Sequence, residues 1–252
     1  MNKSNRKVAD QFKYYVFLTV LYSIFMITAQ ALTYRVIKIG PFLEPGGIFV
    51  FPATFAITDI IAEVYGPTLA RKSIFISLIA QAFYSLMPMI INTFPHPENW
   101  QHADAFKWVF GLSWLIFLSY VIAILVGMLL NTQIIGKTKI ITGGKLFSIR
   151  SLFSSAIGEL VSTIIIVSIA MVPIFGLHTS IKLFFNIFLF KLGFSILMLY
   201  PASVLVVLFK KLDNVDVYEE SISFNPFAKF MRANVTVNAN NILNLDTARN
   251  KK

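Results

Sequence analysis

Four ionisable side chains stand inside stretches that are otherwise apolar: Asp59, Glu63, Glu159 and Lys191. At the centre of a membrane helix each such charge costs about 2.5 to 3.5 kcal/mol even on a lenient insertion scale, so the four together would cost roughly 10 kcal/mol or more without partners. They must therefore face protein, water or a ligand. Asp59 and Glu63 are four residues apart and share one helix face, which makes them candidates for binding substrate and for carrying a proton. Glu159 belongs to a stripe in which Ser151, Ser154, Ser155, Gly158 and Ser162 recur at three- and four-residue spacing, with Leu, Ile and Val on the other side. Ser77, Gln81 and Ser85 form a second polar line, Gln30 adds an amide, and Lys191 with Ser195 adds a third four-residue step. Ser154, Gly158 and Ser162 also make a small-xxx-small pattern, so the serines taken singly read as helix-to-helix packing and the three acids as functional.

These groups need helices to hold them. The chain has 252 residues, 56% hydrophobic and only 13% charged, where soluble domains carry roughly 25% charged residues. That excludes an ordinary soluble enzyme. Lys and Arg outnumber Asp and Glu 22 to 12, but the basic residues lie in short clusters between apolar runs, a membrane pattern rather than a nucleic-acid face. With Cys absent a disulfide framework is excluded. A hydrocarbon core of about 30 Å takes about 20 apolar residues in a helix. Six stretches qualify: Tyr14 to Tyr34, Ile48 to Gly66, a run from Arg71-Lys72 to Asn92, Trp108 to Gly136, Ser151 to Leu177 and Leu183 to Phe209. None alternates with the period of two that a barrel strand needs.

The expected fold is all-α: a polytopic membrane protein with six transmembrane helices over residues 14–211, a basic segment at 1–13 and a polar, largely disordered tail at 212–252. With the N-terminus inside, 17 of the 22 Lys and Arg fall on the inner side and four on the outer, with Lys191 inside a span, so both termini are expected in the cytoplasm. Trp100, Trp108 and Trp114 then fall near the outer interface. Ala29-Gln30-Ala31 imitates a signal-peptide cleavage site, but five spans follow it and the first is read as retained.

Spans one, two, three, five and six carry the polar groups and are expected to enclose an interior site. Asp59, Glu63 and Glu159 belong to its inner half or midplane and Lys191 to the outer half, so a direct Lys191 ion pair is not assured. Pro52 and the Pro45-Gly46-Gly47 turn free backbone groups that can line a cavity. Gly143-Gly144-Lys145 runs into Leu146 where a phosphate loop needs Ser or Thr, so no ATPase is encoded. His96, His102 and His178 map to outer loops at spacings unlike a metal site, and Gly111-Leu112-Ser113 lacks the second glycine of a serine-hydrolase elbow. The sequence points to no enzyme, cofactor or metal.

The segment from Phe51 to Gly66, FPATFAITDIIAEVYG, followed by Leu69-Ala70-Arg71-Lys72, resembles the signature of the queuosine precursor transporter family within the vitamin uptake transporters. Arg150, Ser154-Ser155, Gly158-Glu159 and Ser162-Thr163 resemble that family's fifth-helix motif. Lys191, Pro201, Asp216-Val217-Tyr218 and Phe224-Asn225-Pro226-Phe227 resemble its closing region. Two positions depart from the pattern: Ser162 stands where a carboxylate is common, and Ser195 where some relatives have Glu. The resemblance implies uptake of a 7-deazaguanine across the bacterial inner membrane for tRNA modification: the 7-cyano or 7-aminomethyl base, or queuine. Its partners would be that substrate and the lipid bilayer, without direct contact to nucleic acid and with homo-oligomer formation left open.

A guanine-like ring presents adjacent N–H donors beside a carbonyl acceptor. A carboxylate, Glu159 or Glu63, can accept from the donors while Gln30, Gln81, Lys191 or a serine such as Ser154, Ser155, Ser162 or Ser195 donates to the oxygen. Phe55 and Tyr65 offer flat faces. The alternatives from the sequence are a binding subunit energised by a separate ATP-driven module and an intramembrane enzyme.

Overall fold

The computed structural model describes residues 12–40, 42–111 and 113–219. It is 83% helical, and six helical stretches are long and apolar enough to span a membrane: Lys13–Thr33, Gly46–Tyr65, Pro67–Ile91, Ala103–Ile141, Phe147–Met171 and Phe175–Asp213. All six expected spans are therefore present. The fourth and sixth run to 39 residues, longer than their charge-free cores. Lys137, Lys139, Lys210 and Lys211 end the sequence signal but not the helices: Lys139, Lys210 and Lys211 stand in last turns, where a cation meets the negative end of the helix dipole, and Lys139 and Lys210 are also paired with Glu63 and Asp216.

In chain order, α1 (Lys13–Thr33) leads into an antiparallel hairpin, β1 (Val36–Ile39) and β2 (Phe42–Pro45), which no alternation signal announced. A 3-10 turn at Gly46–Phe49 feeds α2 (Phe51–Tyr65), and Gly66 (φ 91°) turns the chain into α3 (Pro67–Ile91). The fourth span comprises α4 (Ala103–Gly111), α5 (Ser113–Ala123), a π turn at Ile124–Met128 and α6 (Leu129–Ile141). Next come α7 (Phe147–Ile166), a second π turn at Val167–Met171, and α8 (Val172–Asp213), broken at Gly176. The Tyr14 N–H donates to Asp213 Oδ2 at 3.4 Å, so the start of α1 and the end of α8 share one end of the bundle. Arg71, Lys139, Arg150 and Lys210 gather there, and it is called the basic end below; the hairpin marks the other.

The second span is the axis of the fold. Of its most apolar 18-residue stretch 78% is buried, against 22–39% of the corresponding stretch in each other span. A helix with no free face cannot point its acids at lipid, and Asp59 and Glu63 are both enclosed. The remaining helices keep an apolar outer side, with Val16, Phe17, Val20 and Ile24 on α1 and Ile196, Leu197 and Val204 on α8 all exposed. That is the surface of a multi-pass membrane protein.

Two close approaches set the packing. A Cβ on Gly47 would collide with the Ala29 carbonyl of α1, so the 3-10 turn lies directly on that helix. A Cβ on Gly158 would stand 2.8 Å from the Gly127 carbonyl and 2.9 Å from the Phe55 ring, which seats α7 against the π turn of the fourth span and against α2. Gly158→Val is expected to lower the thermal unfolding midpoint in detergent, at a cost of about 1–3 kcal/mol from overpacking; an unchanged midpoint would show that this contact is dispensable.

The first residues of the expected tail are packed. The Val217 N–H donates to the Val64 carbonyl at 3.1 Å, and Glu219 receives the Thr68 N–H at 3.1 Å and the Thr68 hydroxyl at 2.6 Å at the start of α3. The rest of the tail, 220–252, and the basic segment at 1–11 lie outside the described residues. Trp100, Trp108 and Trp114 are exposed, as are His96, His102 and His178, the last within α8 rather than in a loop.

Candidate functional site

Asp59 sits nearly two turns inward from the end of α2 and is fully enclosed. Its carboxylate accepts from Ser151 Oγ at 2.5 Å, Ser155 Oγ at 3.0 Å and Asn131 Nδ2 at 2.6 Å. The serines stand four apart on α7 and present one face of it; Asn131 comes from α6. Three neutral donors hold the acid with no cation among them, and they tie α2 to the fourth and fifth spans. Asn131 is a participant that the sequence reading missed. An amide in the middle of an apolar stretch was the available signal, and it brings in the span left out of the expected enclosure.

Glu159 lies two turns farther along α7 from Ser151, toward the hairpin end. Ser195 Oγ of α8 donates to its Oε1 at 2.7 Å, while Oε2 is buried without a hydrogen-bond partner. Lys191, also enclosed, does not pair with it directly: Nζ donates to Thr163 Oγ1 at 3.1 Å, one turn beyond Glu159, and stands 4.3 Å from the centre of the Phe51 ring. Phe51 in turn meets the Phe55 and Tyr120 rings edge-on, at 5.7 and 5.6 Å. Between the Asp59 and Glu159 arrangements lies a cleft lined by Pro52, Ala56, Ser151, Ser155, Ser195 and Met198, with room for about one water molecule, about 10 Å³. Ser155 and Ser195 thus connect the two acids around a shared space.

The other candidates are placed differently. Ser154 and Ser162 are buried but donate to carbonyls of their own helix, Ser151 O and Glu159 O, as packing serines do. Between α1 and α3, Gln30 Nε2 donates to Ser85 Oγ at 2.6 Å, while Gln30 Oε1, Ser77 Oγ and both amide atoms of Gln81 are enclosed without partners. Such atoms cost about 1–3 kcal/mol each when left unpaired, so this line is the second place where a polar ligand would be stabilised. Thr33 of α1 and Tyr120 share a hydrogen bond at 2.8 Å, which links that line to the Phe51 cluster.

Glu63 faces the basic end, apart from the Glu159 cluster. Arg150 Nη2 lies 3.0 Å from Oε2, Lys210 Nζ 2.9 Å from Oε1, and Lys139 Nζ 3.9 Å from Oε1. Asp216 joins through Lys139 at 2.6 Å and Lys210 at 3.0 Å, and Lys139 also donates to the carbonyls of Glu63 at 2.5 Å and Val217 at 2.8 Å. The network binds spans two, four, five and six to the returning segment, and the Tyr218 ring covers the Lys139 ammonium. Tyr65 donates to Asp213 at 2.5 Å in the same region, so its ring belongs to the closure of this end. Lys139 escaped the sequence reading because it counted only as a loop charge. One further acid emerged only from the fold: Glu44 on β2, buried at 2% exposure, with Oε2 unpartnered.

Residues 45–206 match the family model described as vitamin uptake transporter. No curated protein and no solved structure matches the chain. The matched stretch contains Asp59, Glu63, Gln81, Glu159, Lys191 and Ser195, and so carries both acid arrangements and the cleft between them. It spans well over half of the 252 residues, and the chain belongs to the vitamin uptake transporter family.

Proposed function

We propose that the protein carries a 7-deazaguanine queuosine precursor inward across the bacterial inner membrane, with the basic end in the cytoplasm. The observation that carries this reading is Glu159: a buried carboxylate with one oxygen held by Ser195, which itself lines the cleft, and the other free, one helical turn from the Thr163 hydroxyl that holds a buried ammonium. The two adjacent N–H donors of a guanine-type edge suit that carboxylate, and the neighbouring carbonyl suits Lys191 or the unpaired Gln81 amide. Phe51 and Phe55 supply flat apolar faces between them. A cleft this narrow, apolar but for Ser151, Ser155 and Ser195, must widen to take a bicyclic ring. The helices therefore part and close around the site in an alternating-access cycle.

Asp59 is suited to link that cycle to a proton. Its protonation leaves no buried cation unbalanced, because its three partners are neutral, whereas Glu63 faces three cations. A protonated carboxyl also cannot accept from Ser151, Ser155 and Asn131 together as strongly as the ion does, so protonation loosens α2 from α7. Uptake into vesicles is expected to rise when the outside is made more acidic than the lumen; rates indifferent to that gradient would remove proton coupling. Cargo and direction are tested together in a bacterium unable to make queuosine precursors, fed each base in turn, with tRNA modification as readout. Transport by the purified chain alone in proteoliposomes is expected, and its absence there would point to a separate energising partner.

A further inference from the structure

We infer that Glu44 is a specificity-determining residue that, with Glu159, selects a flat heterocycle bearing a protonated amine over its neutral analogues. The inference rests on the purine-like reading above and names which chemistry of that class the site prefers.

The argument begins with the hairpin. In its register Ile37 stands opposite Glu44, while Lys38 pairs with Leu43 and so points to the other face. Val36 and Lys38 are exposed and Ile37 and Ile39 half-buried, so the inward face of β1 is apolar. Glu44 therefore enters the bundle without a basic neighbour from its own sheet. The 3-10 turn that follows, Gly46–Phe49, has no charged residue either. Among the described residues, the cation whose field reaches Glu44 is Lys191, from α8.

Lys191 is thus shared. Glu159 and Glu44 each keep a buried, unpartnered Oε2, and when both are ionised the single Lys191 ammonium leaves one negative charge uncompensated. Asp59 adds another acid whose partners are all neutral. The basic end cannot correct this, since Arg150, Lys139 and Lys210 are already engaged with Glu63 and Asp216. A buried acidic excess of this kind is compensated best by a ligand that carries a cation on a flexible arm. A base gripped through its ring edge by Glu159 would extend such an arm toward the hairpin. A nitrile in the same place offers no donor to Glu44 and leaves its Oε2 unpaired. Burial lifts the Glu44 carboxyl to about 7, with Lys191 pulling it back down, so the residue passes between neutral and charged in the range where an alkylamine stays protonated.

The test is parallel uptake of 7-aminomethyl- and 7-cyano-7-deazaguanine by purified protein in proteoliposomes, for wild type, Glu44→Gln and Glu44→Asp. The wild type is expected to favour the amine by about tenfold or more in kcat/KM, Glu44→Gln to bring the ratio to within about threefold of parity, and Glu44→Asp to restore most of it. In the wild type the amine-to-cyano ratio should also climb from about pH 6 to about pH 8 as Glu44 ionises, a readout that does not depend on any variant folding. A preference for the cyano base, a ratio untouched by Glu44→Gln, a ratio flat with pH, or loss of both bases together would each overturn the inference. Transport of either base leaves the proposed function standing whatever the ratio. Transport of neither removes that function as well.

Discussion

Glu159→Gln is expected to cut uptake about a hundredfold while the protein accumulates and unfolds much as the wild type does. The amide keeps an oxygen for the Ser195 hydroxyl, so the link between α7 and α8 survives. What disappears is the charge and one acceptor at the free Oε2, and what appears is an N–H that opposes the ring donors of a guanine-type edge. Losing a charge-assisted contact of this kind costs about 3 kcal/mol, about a hundredfold in kcat/KM. Initial rates in proteoliposomes, beside membrane abundance and the unfolding midpoint, check both halves of the statement. Normal rates would remove Glu159 from the site; a fall in abundance matching the fall in rate would make it a structural acid.

Glu63→Gln is expected to do the reverse, acting on stability before transport. Its charge balances Arg150, Lys139 and Lys210 together with Asp216, so removing it leaves three cations against a single acid at a largely buried junction. Breaking such a network from one side costs about 3 kcal/mol or more. The unfolding midpoint in detergent should fall clearly, and Glu63→Asp, which keeps the charge but not the reach, should fall less. If Glu63→Gln instead left stability intact and raised KM alone, Glu63 would be contacting substrate, the role its position beside Asp59 first suggested. Asp59 and Glu63 therefore separate by environment although they share a helix face. One meets neutral donors, and the other closes the basic end.

The FPATFAITDIIAEVYG segment and the α7 stripe were legible as inward-facing polar positions because lipid does not tolerate such residues at random. The stripe is buried throughout, from Ser151 to Ser162, and Ser151, Ser155 and Ser195 line one cleft, Ser195 also donating to Glu159. Side-chain pairing was not legible. Periodicity puts Gln81 and Gln30 on inward faces, but only the packing of α1 against α3 shows Ser85 taken by Gln30 and Gln81 left unpaired. Asn131 and Lys139 were passed over because the fourth span reads as apolar and its end as a loop, yet they complete the two acid networks. Glu44 sat in what looked like an outer connection, where a carboxylate carries no signal until a hairpin turns it inward.

Composition, charge-poor stretch length and the placement of Lys and Arg were enough to establish six membrane helices. Each of these depends only on the transfer energy of a segment between water and lipid, a property of consecutive residues. Tertiary structure alone decided which acid is matched by a cation, which by neutral donors, and which is left with an open oxygen. Those outcomes depend on distances between side chains far apart in the chain, such as Glu159 and Ser195 or Glu63 and Lys210, and no local rule of hydrophobicity or spacing encodes them.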